Sequence, residues 1–237
     1  MPHLSVLIPI YNEADNLIPL INEIRAALDD VIDYELIYVD DGSTDNSWQI
    51  LKSIDFDKLR VIHHQRSYGQ SVAVVTGAKA ACSEWIVTLD GDGQNDPADI
   101  PHLLAARTDN PQAKMIIGQR RVRQDNWFKR KASYIANKVR RFLLHDDTLD
   151  TGCGLKLFTR SAFLELPHFN HIHRFLPALF LRNGYKVISL KVNHRPRCKG
   201  KSKYGIFDRL GVGIVDILGV MWLQRRSCKA EIIEEIK

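Results

Sequence analysis

Tyr34-Glu35-Leu36-Ile37-Tyr38-Val39-Asp40-Asp41-Gly42-Ser43 decides the fold class. Aliphatic and aromatic residues suited to a pleated strand run straight into two carboxylates and a glycine. The same grammar appears upstream, where Leu4-Ser5-Val6-Leu7-Ile8-Pro9-Ile10 leads into Tyr11-Asn12-Glu13. It appears again downstream, where Glu84 to Leu89 leads into Asp90-Gly91-Asp92.

Between these strands the period changes. Leu17, Leu20, Ile21, Ile24 and Leu28 recur at helical spacing, which predicts a helix over about 14–30. Asp45 can cap a helix over about 46–54, and Leu59 to His63 reads as a third strand. Ser71 to Ala81 is Ala/Val-rich and helical in character. Pro97 suits the first turn of a helix reaching about Arg107, and Met115 to Gly118 reads as a fifth strand. Strands alternating with helices imply right-handed βαβ units and a mostly parallel sheet flanked by helices, an α/β fold. In such sheets ligands bind beyond the carboxyl ends of the strands, where Asp40/Asp41 and Asp90/Asp92 both fall.

After residue 119 the character shifts. A basic helical segment is expected over about 127–144, then a loop at Asp150-Thr151-Gly152-Cys153-Gly154. A short strand over 155–158, a short helix over 161–166, a helix over 173–183 and a strand over 185–192 follow. A basic loop runs from Arg195 to Lys203. Residues 205–237 form a separate unit beyond a main domain of 1–204: an amphipathic helix to Leu223 and a basic tail. The apolar run Leu210–Leu223 is shorter than the roughly 20 residues a spanning helix needs and contains Asp216. It fits either the membrane interface, with Arg225, Arg226 and Lys229 at headgroups, or a buried or oligomeric contact.

Charge is divided along the chain. Residues 1–118 carry 18 acidic and 8 basic residues, whereas 119–237 carry 10 and 25. The first half suits a cation and the second suits anions. The hydrophobic share of 45% supports a sizeable core and excludes disorder. Cys82, Cys153, Cys198 and Cys228 form no CxxC pair and read as free thiols. His171 and His173 lack the further ligands of a zinc site. No P-loop or Gly-x-Gly-x-x-Gly is present, and no nucleic-acid reader motif, so nucleic acid is not an expected partner. Met1-Pro2-His3 running into a strand is no signal peptide.

Asp90-Gly91-Asp92 is the sharpest chemical feature. Two carboxylates flanking a small residue at a strand end can converge on Mg²⁺ or Mn²⁺, and Gln94 can add an oxygen. The bland alternative is a solvated turn, since Asp and Gly favour turns. Tyr11 can stack on a base and Asp41 can accept from a base or ribose. Asn12 or Asp15 can instead serve simply as helix caps, with Glu13 favouring the dipole.

Three motifs in order, Ser5–Glu13, Val39–Asp45 and Leu89–Pro97, resemble the inverting family 2 glycosyltransferases. The resemblance implies a GT-A fold, a UDP- or GDP-sugar donor and a divalent metal held by Asp90, Asp92 and Gln94. Pro9, Tyr11, Glu13, Asp41, Asp90 and Lys203 would contact the donor. Within that family the chain is similar to the polyprenyl-phosphate glycosyltransferases, the group including dolichol-phosphate mannosyltransferase. Gly118-Gln119-Arg120, Lys129-Arg130-Lys131-Ala132-Ser133, Asp150–Lys156 and Arg197–Tyr204 carry that similarity. By it Arg120, Arg130 and Arg197 would surround the phosphates and act with Asp92 in catalysis, with Lys129 the alternative to Arg130.

Gly93 stands where a Leu is common, and Gln-x-x-Arg-Trp and paired C-terminal membrane helices are absent. These departures argue against polysaccharide synthesis and integral insertion. His173-Arg174-Phe175-Leu176-Pro177 resembles a variant in a subgroup related to galacturonate transfer onto polyprenyl phosphate.

The expectation is thus a polyprenyl-phosphate acceptor, an enzyme peripheral on the cytoplasmic face of the membrane, and a possible homo-oligomer. Its rivals are transfer to a sugar or protein hydroxyl, with Asp150 as base, and a non-catalytic nucleotide-binding or scaffold protein. A phosphate monoester is mostly dianionic at neutral pH and needs no base, and arginines grip it bidentately.

Overall fold

A computed structural model describes residues 2–120, 138–196 and 206–226, with side chains of the last stretch from Gly213 onward. A seven-stranded sheet runs through it in the order β3-β2-β1-β4-β6-β5-β7. Its first strands are β1 (Leu4–Ile10), β2 (Tyr34–Asp40), β3 (Leu59–His63) and β4 (Trp85–Thr88). Then come β5 (Ala113–Arg120), β6 (Lys156–Thr159) and β7 (Lys186–Val192). The helices are α1 (Ala14–Leu28), α2 (Ser47–Ser53), α3 (Gln70–Ala80), α4 (Ile100–Asp109), α5 (138–144 among the described residues), α6 (Arg160–Leu164), α7 (Leu176–Arg182) and α8 (Ile206–Gln224).

The central strands are mostly apolar because both their faces are covered, and their buried polar groups are paired, as Ser5 is with Glu35. Leu4, Val6, Ile8 and Ile10 of β1 pack with Leu17, Leu20, Ile21 and Ile24 of α1 and with Ile100 and Leu103 of α4. The opposite-facing Leu7 joins Ile37, Val39 and the α3 residues Ala73, Val74 and Ala78. A side chain at Gly77 would collide with Leu7, so the glycine is what lets α3 lie close on β1.

Every strand is parallel to its neighbours except β6, which is antiparallel to both β4 and β5. The sequence pattern leads to a mostly parallel sheet, and this insertion is what it leaves out. β1 meets β2 on one side and β4 on the other, so the direction of strand succession reverses between β1 and β4. A crevice opens at such a point beyond the strand ends. Pairing between β1 and β4 stops at Leu7 and Thr88, and Pro9 has no N–H to extend it.

The loops at this edge are stitched together. Asn12, at φ 56°, accepts through Oδ1 from the amides of Thr44 and Asp45. Asp45 takes the Ser47 amide at the start of α2, as its sequence position predicts, and also the Ala14 amide at the start of α1. Thus α1 is capped by the neighbouring loop, and Asn12 is a tie between loops rather than a cap.

Candidate active site

Asp90 leaves β4 into the crevice. Its amide donates to Asn95 Oδ1 at 2.9 Å, and its carboxylate accepts from Gln70 Nε2, at the start of α3, at 2.9 Å. Burial raises the Asp90 pKa, and the charge of Asp92 adds to it. Asp92 turns back to accept from the Gln94 amide at 3.1 Å. Gly91 sits against β1, with a built Cβ only 2.6 Å from Ile10 Cγ2 and 3.4 Å from the Pro9 carbonyl. Gly91 thereby sets the loop that carries Asp90 and Asp92 against the end of β1.

The loop after residue 150 closes over this pair. Gly154 is pressed against Asp90, and a Cβ there would stand 2.6 Å from Asn95 Oδ1. The Gly154 carbonyl accepts from Thr88 Oγ1 at 2.8 Å. Lys156 is buried, and its ammonium donates to the Cys153 carbonyl. Burial lowers its pKa, opposed by the negative charge of Asp90 and Asp150. The Cys153 thiol is pushed by burial up to about 11, so it stays protonated.

Arg120, at the end of β5, grips Asp150 in a fork: Nε to Oδ2 at 2.6 Å and Nη2 to Oδ1 at 2.7 Å. Both side chains are mostly buried. Arg140 supports that loop from behind, donating to the Thr148 carbonyl, while Asp146 accepts the Thr148 amide. Across the crevice, His173 shares a 2.8 Å hydrogen bond with Ser71 Oγ. Burial depresses its pKa, and Lys156, Arg174 and His171 add to the effect, so the ring is neutral near pH 7. His171 instead pairs with Asp216 of α8 at 3.0 Å. The two histidines thus diverge, and among the described residues no group of three His, Cys, Asp or Glu side chains could hold a metal.

Asp41, expected to accept from a base or ribose, already has protein partners on both oxygens. Its oxygens accept from His64 Nδ1, Ser67 Oγ and the amides of Tyr68 and Gly69. Burial alone would raise its pKa, but these hydrogen bonds outweigh it and hold the carboxyl below its usual range. Here it organises the 66–69 loop, which also packs on Gly42: a Cβ at that glycine would meet the Arg66 and Ser67 backbone. Glu13 accepts from Asn16 at 2.7 Å, and Tyr11 lies half-buried at the same edge. The Gln94 carbonyl accepts the Arg195 amide at 3.0 Å, leaving its side chain as the oxygen source. Arg195 also bonds Glu23 and Asp96, so the chain reaches Pro196 tied to the loop that follows Asp92. Lys129, Arg130, Arg197 and Lys203 lie outside the described residues.

Sequence reasoning did not single out Gln70, Asn95, Lys156, Ser71 or the Arg120–Asp150 pairing. Asn95 and Lys156 stand inside the quoted motifs, which was their one signal. Gln70 and Ser71 meet the site only through the fold.

The model of the family described as glycosyl transferase family 2 matches residues 5–166. A dodecaprenyl-phosphate galacturonate synthase of Rhizobium johnstonii is 34% identical over 240 residues, covering 95% of this chain and 68% of that protein. An undecaprenyl-phosphate 4-deoxy-4-formamido-L-arabinose transferase of Aeromonas hydrophila is 35% identical over 213 residues, covering 88% of this chain and 64% of its own length. The chain thus spans about two thirds of these relatives. Among solved structures, glucosyl-3-phosphoglycerate synthase from Mycobacterium tuberculosis, in complex with Mn²⁺ and UDP-glucose, superposes with a TM-score of 0.72. Its identity is 18%, over 94% of this chain and 79% of that one. That likeness establishes the fold, GT-A.

Proposed function

The chain belongs to glycosyl transferase family 2, and from that premise we propose that it moves a sugar from a nucleotide-sugar donor to a polyprenyl phosphate. The observation that carries this reading is the juxtaposition of a crowded carboxylate pair, Asp90 and Asp92, with cationic groups on the neighbouring strands, Arg120 and Lys156. The carboxylates suit the metal side of a diphosphate and the cations suit phosphate oxygens.

The all-oxygen donor set and the mutual repulsion of the two carboxylates fit Mg²⁺ or Mn²⁺. Asp90 and Asp92, with the Gln94 side chain, would hold the ion, which supplies positive charge toward the departing nucleoside diphosphate. Gln70 and Asn95 keep Asp90 aimed into the crevice, and Gly154 leaves room for it. Pro9, Tyr11, Glu13 and the loop organised by Asp41 form the donor side, joined in this reading by Lys203. Arg120, oriented by Asp150, receives the acceptor phosphate, with Arg130 and Arg197 assigned to the same anion. Attack by the phosphate dianion at the anomeric carbon inverts its configuration.

Transfer to a hydroxyl, with Asp150 as base, is the second reading. Against it stands the fork from Arg120, which engages both carboxylate oxygens of Asp150 and so competes with any proton they would accept. The proposed working place is the cytoplasmic face of the membrane, because the acceptor is a lipid and the donor is water-soluble. Among the described residues no helix is long and apolar enough to cross a bilayer.

The test is incubation of the purified chain with Mn²⁺, a panel of labelled UDP- and GDP-sugars, and polyprenyl phosphate in detergent. Organic-extractable label from at least one donor is expected. No lipid-linked label across the panel, with transfer to soluble hydroxyl acceptors instead, would establish the second reading.

A further inference from the structure

We infer that α8 and α5 together form a docking face for an anionic lipid bilayer. One side of α8 is buried: Val220 is fully covered, and Ile217, Met221 and Leu223 pack on the core. The other side is bare, with Ile214, Val215, Leu218 and Trp222 each 58–68% exposed. At about 100° per residue these four positions share an arc of roughly 100°, and Arg225 and Arg226 continue it. Gln224 Nε2 donates to the Leu144 carbonyl at 2.7 Å, which brings the end of α5 beside the end of α8. There α5 exposes Phe142 (79%) and Val139 (48%).

Charge selects the occupant. Asp216 is the one acid from 213 to 226, and it is turned inward to His171. Asp147, beside α5, faces Arg141 at 3.4 Å. The exposed arc therefore presents apolar side chains ending in two guanidiniums, one of which lies 5.5 Å from the Trp222 ring. Arg182 braces this end by donating to the carbonyls of Leu223 and Arg226. An indole and a cationic collar above aliphatic residues match the acyl–headgroup boundary of an anionic leaflet. A two-fold contact with a second copy would need a self-complementary patch, and among the described residues from Gly213 to Arg226 this arc offers its own arginines no free acid.

The choice of a lipid occupant rests on the lipid-acceptor reading. The pairing of His171 with Asp216 also ties α8 to the segment whose His173 bonds Ser71, next to the Gln70 that holds Asp90.

The test is co-sedimentation of the full chain with vesicles of phosphatidylcholine, with and without phosphatidylglycerol. Binding is expected, stronger with phosphatidylglycerol. Leu218→Asp with Trp222→Asp should weaken it about 100-fold, each lost side chain contributing about tenfold. Phe142→Asp, on the other helix, should weaken it about tenfold at an unchanged melting temperature, which guards against misfolding of the α8 variant. Arg225→Glu with Arg226→Glu should abolish the preference for phosphatidylglycerol. A wild-type chain that stays in the supernatant with both vesicles, yet transfers sugar to polyprenyl phosphate in detergent, overturns the docking face and leaves the function standing. A chain that binds vesicles but transfers nothing does the reverse. A dimer dissolved by the α8 variant, without vesicle binding, assigns the face to a second copy and also overturns the inference.

Discussion

The Arg120 guanidinium and the Asp150 carboxylate form a two-pronged ion pair, 2.6 and 2.7 Å long, across the 30 residues that separate them in sequence. An arginine so held is aimed before any acceptor arrives. Asp150→Asn should then raise the acceptor KM about tenfold or more while leaving the shape of the pH–rate profile intact. Loss of the acidic limb of that profile would instead mark Asp150 as a base. Arg120→Lys should fail to rescue, because an ammonium cannot reproduce the fork.

Asp41 predicts a pH signature in stability. Its folded carboxyl lies below the ordinary value near 3.9, so its contribution is complete above that pH and is lost as pH falls through the lower folded value. Asp41→Asn should cost about 2 kcal/mol at pH 7. Melting curves from pH 7 to pH 3 should show the gap to wild type constant down to about pH 4 and narrowing below it.

Asp90 and Asp92 predict a trade between stability and activity. Removing one charge relieves the repulsion that helps raise the Asp90 pKa. Asp92→Asn should raise the metal-free melting temperature by about 2–4 °C and abolish Mn²⁺-dependent donor binding in calorimetry. A variant that binds donor normally would support the scaffold reading.

Gly154 predicts a steric defect confined to the site. Gly154→Ala places a methyl group against Asp90 and 2.6 Å from Asn95 Oδ1. Steady-state kinetics should show a fall in kcat/KM of about 100-fold, the scale on which misplacing reacting groups by about 1 Å acts. Circular dichroism should show the fold retained.

Much of this was legible in the sequence. Both faces of β1 and β2 are covered, so most of their residues are apolar, and the carboxylates at the ends of β2 and β4 stand out. The helix over Ala14–Leu28 announced itself by period, and Leu59–His63 matches its predicted bounds. The direction and partners of β6 were not legible, because Lys156–Thr159 is four residues long and its pairing is decided by tertiary contacts. Asp41 stands out in the sequence as an acceptor for a base or ribose, but its protein partners do not. Its partners His64, Ser67, Tyr68 and Gly69 sit in a loop with no periodic signal. Arg120 and Asp150 were each marked individually, but their pairing depends on β6 laying the loop from 150 to 155 beside β5.

The central claim is that the nucleophile is a phosphate monoester, and ³¹P NMR of the lipid acceptor during turnover tests it most directly. The monoester signal is expected to convert to a phosphodiester signal, one for each nucleoside diphosphate released. Release of nucleoside diphosphate with the monoester signal unchanged, and the sugar found on a hydroxyl, would contradict it.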